Sequence, residues 1–526
     1  MKILIADQLS DKAVEILTSQ GFTVDIKTGL PPESLKEIIG SYDGLVVRSA
    51  TKVTKDIISR ADNLKVIGRA GIGVDNVDVG AATEKGIIVM NTPQGNALAA
   101  AEHTIALMFA AARKIALADK TMKEGKWEKK AFMGIEIYEK TLGVIGIGNI
   151  GFIVAEKALA LGMRVIAYDP YISRDFAEKK GIILVDFDTL LKESDFITIH
   201  VPLVKETRNL INKETLAKMK KGVILINAAR GPIVNEKDLY EALESGHVAC
   251  AALDVFEQEP PPKDNPLVCS DKTICTPHLG ASTKEAQDKV AIDIANQIVD
   301  FFVNGVIKNS VNAPSVSREV ARQIKPYLSL SEKLGTVVSA TSDFPLEEID
   351  IQYMGAISET DTRILTQAIL KSVLSQRMEG VNYVNAPVIA KSREIKVRET
   401  KMGEHEDFTS LLAITLRGTG KENTVYGTLF GKKEPRLVKI KNIFLEADLR
   451  EHMLFVYNYD KPGVIASIAN VFFTKGINIG DMHFGRESIG GLAISLLDVD
   501  VEVDDNIVRE IQALPNIISV KKIDLP

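Results

Sequence analysis

From residue 1 to about residue 280, apolar runs of strand length alternate with stretches of helical periodicity, and this alternation constrains the fold more than any other feature of the chain. KILIAD (2–7), TVDIK, GLVVRSA (44–50), KVIGRAG (65–71) and IIVMNT (87–92) form a first series. After an alanine-rich helical stretch at about 97–118, a second series begins: TLGVIG, RVIAYD, FITIHV, VILINAA, VACAALDV and TICTPH. Strands joined through helices run parallel, need both faces covered, and so read as near-continuous apolar runs. Two such series predict two doubly wound α/β domains with a cleft between them.

The pattern STKEAQDKVAIDIANQIVDFFVNG after His278 is too long for a connector and is expected to cross back to the first sheet. That gives a discontinuous first domain, 1–96 with 283–311, around a second domain at 97–282. NAPSVS (312–317) reads as a linker, and an α+β domain follows at 318–447, with strands such as EEIDIQYMGAI, LLAITLRGT and TVYGTLFG. The segment 452–526 has the order strand, helix, strand, strand, helix, strand, a ferredoxin-like βαββαβ module. It holds no cluster suited to catalysis, so regulation or assembly is its expected role. The length of 526 residues agrees with roughly three or four domains.

Composition narrows the class. Hydrophobic content of 45% with 25% charged residues is ordinary for a globular protein, and a net charge of −6 gives no basic excess for nucleic acid or anionic membrane. LAAAEHTIALMFAAARKIAL carries Glu102, His103 and Arg113, and is expected to be a buried helix, not a membrane span. KILIAD directly after Met1 reads as a strand instead of a signal peptide. Cys250, Cys269 and Cys275 have the spacing of neither a zinc site nor a disulfide framework, so no metal is expected and a cytoplasmic location is.

GVIGIGNIG (143–151) places Gly146, Gly148 and Gly151 between an apolar strand and a helical run. There, glycines allow a tight turn, close approach of a pyrophosphate and close helix–strand packing, while the helix N-terminus offers free N–H groups. Asp169 ends the next strand, where a carboxylate accepts bonds from ribose hydroxyls and repels a 2′-phosphate. No GK[ST] follows the glycines, so a nucleotide-hydrolysing phosphate loop is excluded. The expected ligand is NAD in preference to NADP.

Beyond the glycine loop, three strand ends are polar: Arg230 in VILINAARG, Glu259 in AALDVFEQEP and His278 in TICTPHLG. Singly, each has a plain explanation as a loop cation, a turn residue or a satisfied core histidine. Together they supply what oxidation of a 2-hydroxy acid needs. His278 is the candidate general acid/base, Glu259 its tautomer-fixing partner, and Arg230 the group that grips a carboxylate and polarises the C2 oxygen. Asp254 ends its own strand and is a candidate contact for the nicotinamide amide.

The set GIGNIG…D, NAARG, FEQEP and PHLGAST, with VVRSATKVT, RAGIGVDNVD, NTPQGNALAAAEHT and GKW, resembles the D-isomer-specific 2-hydroxyacid dehydrogenases. The resemblance implies an NAD-binding domain at 97–282 and a substrate-binding domain formed by 1–96 with 283–311. Its implied cofactor contacts are Asn149, Ile150, Asp169, Val201, Ala228, Ala229, Arg230, Asp254, His278, Gly280 and Ala281. Its implied substrate contacts are Arg48, Ser49, Ala70, Gly71 and Asn96, with Lys129 or Lys130 reaching a neighbouring subunit. The two C-terminal domains point to 3-phosphoglycerate as substrate, and the last module resembles an ACT domain, with Asn458, Asp460 and Asn478 at positions that bind L-serine between paired modules. A homodimer or homotetramer is implied, with the helix after NTPQGN packed against its twin. Ile72 and Val201 depart from residues often found at their positions and forgo a side-chain bond to the cofactor, and Asn149, where Arg is frequent, weakens the attraction to pyrophosphate. The competing readings are a glyoxylate or hydroxypyruvate reductase, or another 2-hydroxyacid dehydrogenase, and, outside enzymology, an NAD-sensing corepressor-like interaction protein.

Overall fold

The computed structural model describes residues 1–314 and 318–525; the last three residues of the expected linker and Pro526 lie outside the described residues. The first sheet comprises β1 (Lys2–Ile5), β2 (Thr23–Ile26), β3 (Gly44–Val47), β4 (Val66–Arg69) and β5 (Ile88–Met90), all parallel, in the order β2-β1-β3-β4-β5. The second comprises β6 (Thr141–Ile145), β7 (Arg164–Tyr168), β8 (Ile183–Leu184), β9 (Phe196–Ile199), β10 (Val223–Asn227), β11 (Val248–Leu253) and β12 (Thr273–Cys275). It too is parallel, ordered β12-β11-β10-β9-β6-β7-β8. Strand order reverses between β6 and β9, and a crevice opens beyond the carboxyl ends of strands at such a point.

The helix Lys284–Asn304 is built as its sequence suggests. The Thr283 hydroxyl accepts the Ala286 N–H at 3.1 Å, and Gly305 stops the helix at φ 64°. Its apolar face, including Val290, Ala291, Ile294 and Ile298, lies on the first sheet. A Cβ at Gly68 of β4 would stand 2.7 Å from the Ile294 side chain, so this glycine sets how closely helix and sheet approach.

The third sheet is mixed: β13 (Glu348–Gly355), β14 (Lys396–Met402), β15 (Ser410–Gly418), β16 (Lys421–Phe430), β17 (Glu434–Ile440) and β18 (Ile443–Asp448), ordered β14-β13-β15-β16-β17-β18. The helix Arg318–Ala340 packs on one face through Leu330, Leu334 and Val337. The fourth sheet is antiparallel, with β19 (His452–Tyr459), β20 (Ile479–Arg486), β21 (Leu492–Val499) and β22 (Ile517–Asp524) ordered β20-β21-β19-β22. Helices Val464–Lys475 and Asp505–Gln512 complete the βαββαβ order. No helix among the described residues is long and apolar enough to cross a membrane.

Candidate active site

The glycine loop leaves β6 and turns at Gly146 with φ 87°, where a Cβ would press on Val201 and the His200 carbonyl. The helix Asn149–Ala160 begins behind it, and a Cβ at Gly151 would lie 2.0 Å from the Gly146 carbonyl oxygen. A Cβ at Gly148 would meet nothing within 4 Å. Two glycines are therefore demanded by the packing, while the third keeps open space over the helix N-terminus, a cradle that suits a pyrophosphate. Asp169 stands one residue beyond β7, its carboxylate anchored by the N–H groups of Ile147 (3.0 Å) and Tyr171 (2.9 Å). That half-buried carboxylate beside the loop fits NAD and disfavours a 2′-phosphate. Asn149 turns away, donating Nδ2–H to the Pro93 carbonyl at 3.1 Å.

A cleft of about 750 Å³ runs between the two parallel sheets. The expected substrate, catalytic and cofactor residues line it together, apart from the three loop glycines, Asp169 and the lysines; Lys129 and Lys130 lie in an exposed turn. His278 Nδ1 stands 2.8 Å from Glu259 Oε2. Glu259 also accepts the Phe256 N–H at 3.2 Å. Burial pushes the Glu259 carboxyl up, but the bond from His278, its charge and that backbone N–H outweigh it, so the group titrates below its ordinary value. A carboxylate on Nδ1 makes that nitrogen the donor and leaves Nε2 to exchange a proton with a substrate. His200 also lines the cleft, but burial pushes its imidazole down to about 3, and a permanently neutral ring is a poor base.

Arg230, three residues beyond β10, reaches across to the first sheet. Its Nε donates to Asp75 Oδ2 at 2.6 Å and its Nη1 to the Ala229 carbonyl at 2.7 Å. A Cβ at Gly73 would collide with Nη2, so this glycine admits the guanidinium. Arg48 follows β3, with its backbone N–H on Asp7 (2.6 Å) and its Nη1 on the Gln8 carbonyl (3.2 Å). Asn96 has a buried side-chain oxygen without a partner, and Arg69 has a buried Nε without one. Burial, with Arg230 nearby, lowers the Arg69 guanidinium to about 10. A largely buried cation among other cations is unfavourable unless an anion joins it.

Arg69, Asp75 and His103 stand at or behind the cleft but are not among the site residues that the sequence suggests. Arg69 ends β4 much as Arg230 follows β10, but it lies upstream of the glycine loop, on the first sheet. Asp75 and His103 gain meaning only through partners 155 and 173 residues away.

Asp254 is fully buried and spends its carboxylate on its own chain. It accepts from the Thr276 hydroxyl (2.5 Å) and from the N–H groups of Leu279 (2.7 Å) and Gly280 (2.9 Å), with His103 Nε2 at 3.2 Å. Burial opposes its ionisation, yet these bonds together hold its pKa below the ordinary value. In the fourth module the three serine candidates do not meet within one chain. Asn458 is buried and its Nδ2 donates to the Tyr459 carbonyl; Asp460 pairs with Arg486 (3.0 Å); Asn478 donates to Asp500 (2.9 Å). Tyr459 pairs with Leu492 and Ile479 with Val499, so Asp460 and Asn478 lie near opposite ends of β21, about 23 Å apart at 3.3 Å per residue.

Comparisons with known proteins agree with this architecture. Residues 105–280 match the NAD binding domain of the D-isomer specific 2-hydroxyacid dehydrogenases, 323–441 the D-3-phosphoglycerate dehydrogenase intervening domain, and 452–516 the ACT domain. The chain is 44% identical to the D-3-phosphoglycerate dehydrogenases of Archaeoglobus fulgidus and Methanocaldococcus jannaschii, with 100% of each chain covered, and 39% identical to that of Bacillus subtilis, again over 100% of both. Among solved structures, a glyoxylate reductase from Paecilomyes thermophila is 32% identical with a TM-score of 0.55, spanning 59% of this chain and 98% of its own. A D-lactate dehydrogenase from Aquifex aeolicus complexed with NAD and lactic acid is 30% identical with a TM-score of 0.53, spanning 60% of this chain and 100% of its own.

Proposed function

Because the chain belongs to the D-isomer-specific 2-hydroxyacid dehydrogenase family, in its D-3-phosphoglycerate dehydrogenase branch, we propose that it oxidises D-3-phosphoglycerate to 3-phosphohydroxypyruvate with NAD, the step that commits carbon to L-serine. The observation that carries this reading is one cleft in which a histidine–carboxylate pair faces three guanidinium groups. NAD supplies the hydride acceptor, held by the glycine loop and Asp169. His278 takes the hydroxyl proton at Nε2, a role worth about 10²–10⁴-fold in general acid–base catalysis. Glu259 fixes the ring's tautomer and stabilises the imidazolium that results. Arg230 binds the substrate carboxylate, and Asp75 on its Nε fixes the plane of the fork. Arg48 and Arg69 take the phosphate, so each substrate anion meets a guanidinium.

The shorter glyoxylate and hydroxypyruvate reductases are the nearest rivals. Arg69, a largely buried cation whose Nε has no hydrogen-bond partner among the described residues, favours a substrate with a second anion, as does the match to the intervening domain. The test is NADH formation from D-3-phosphoglycerate and from D-glycerate. Phosphoglycerate should be preferred by more than about tenfold in kcat/KM, since one charge-assisted contact is worth about 1.5–3 kcal/mol. Arg69→Gln should erase most of that preference. Equal rates on both substrates would defeat the assignment. We propose further that the protein is a homodimer or larger and that L-serine binds between paired ACT modules.

A further inference from the structure

The turn that carries His278 is unusual in its backbone. His278 has φ 55°, a left-handed conformation that side-chain-bearing residues rarely adopt without support. The support comes from Asp254, whose carbonyl accepts the His278 N–H at 2.9 Å while its carboxylate accepts the next two N–H groups, of Leu279 and Gly280. Behind Asp254 stands His103, in the middle of the helix Ala97–Arg113, with Nε2 3.2 Å from Asp254 Oδ1 and 3.1 Å from Thr276 Oγ1. The Thr276 hydroxyl has one proton, and it goes to Asp254 at 2.5 Å. Both oxygens facing Nε2 are therefore acceptors, which makes Nε2 the protonated nitrogen.

We propose that His103 is a positioning residue for the reaction: acting through Asp254 and Thr276, it locks the left-handed turn that presents the His278 imidazole to the substrate. His103 does not line the cleft. It supplies the one side-chain N–H on a buried carboxylate that organises three consecutive residues, 278 to 280. Without it Asp254 is under-satisfied, and the cheapest relief is to turn toward water or toward other donors, releasing the N–H groups of the turn.

This inference rests on the dehydrogenase reading, and wild-type turnover of phosphoglycerate tests that reading separately. His103→Leu should lower kcat by about tenfold or more while KM for phosphoglycerate and the dissociation constant for NADH, measured by its fluorescence, change by less than about threefold. The primary isotope effect on kcat with C2-deuterated substrate should rise, because the hydride step becomes slower. His103→Gln, which places an N–H at similar reach, should restore most of the rate. If His103→Leu does not fold, Thr276→Val carries the same test, since it removes the hydroxyl that Nε2 and Asp254 share. An unchanged kcat, a loss expressed only in NADH affinity, or a glutamine variant as slow as leucine would overturn the proposal.

Discussion

Glu259 shows how one side chain sets the chemistry of another. Its carboxylate lies 2.8 Å from His278 Nδ1, and it ionises more readily than an ordinary glutamate because the imidazole and the Phe256 N–H outweigh its burial. It therefore stays charged throughout the neutral range. The sign of its effect on the enzyme follows. A carboxylate on Nδ1 stabilises the imidazolium that forms as the proton is taken, so Glu259→Gln should lower kcat by about tenfold or more with KM for phosphoglycerate little changed. A kcat equal to that of the unaltered protein would remove Glu259 from this role. The same depression gives a stability contribution that is complete above the ordinary carboxylate value, near about 4.3, and is lost as pH falls below it. Arg230, Glu259 and His278, the proposed catalytic set, could be picked out in the sequence because polar residues just beyond apolar strands, each plain by itself, form a chemically coherent group when taken together. Arg69 ends an apolar strand, but its burial does not show in the sequence, and nothing local distinguishes Asp75 from a solvated loop carboxylate or His103 in an alanine-rich helix from core filling.

At the scale of elements, the glycine loop is the most demanding joint. Gly151 lies in the first turn of its helix, where an added methyl would stand 2.0 Å from the Gly146 carbonyl, and backbone on backbone cannot yield as a side chain does. Gly151→Ala should thus push the helix N-terminus away from β6 and weaken NADH binding by about tenfold or more, while Gly148→Ala, which meets no protein atom, should do so only by crowding the cofactor. Thermal unfolding separates the two, since the first substitution should lower Tm even without cofactor and the second should not. The parallel strands were legible because buried parallel strands are continuous apolar runs. Of the strands not named from the sequence, β8 and β14 lack such a pattern altogether. β8 has two residues, too few for a pattern, and β14, KVRETKM at a sheet edge, is exposed along its whole length and so shows no apolar alternation. Pairing alone defines them, and pairing partners lie far off in sequence.

At the scale of the whole molecule, exposed large apolar side chains among the described residues are concentrated in one segment of the second domain. Leu98, Ile115, Met122, Trp127, Met133 and Tyr138 are all more than half exposed, and they fall within 41 consecutive residues of the second domain, from 98 to 138. Single exposed apolar residues need no explanation, but a run of large ones is what a monomer avoids and an oligomer buries. The proposed dimer would bury it, with the helix Ala97–Arg113 near the axis. The ACT modules point the same way: because Asp460 and Asn478 are held near opposite ends of one sheet, any ligand that joins them must draw them from two copies. A charge placed in the apolar segment should break the first of these contacts without touching the cleft, since neither Trp127 nor Met133 lines it. Trp127→Asp combined with Met133→Asp should shift the protein toward smaller species in sedimentation at micromolar concentration while each chain keeps its secondary structure by circular dichroism, because both side chains are 81% exposed in the isolated chain. An unaltered sedimentation profile would mean that this face is not the interface, and the assembly would then have to rest on the C-terminal modules alone.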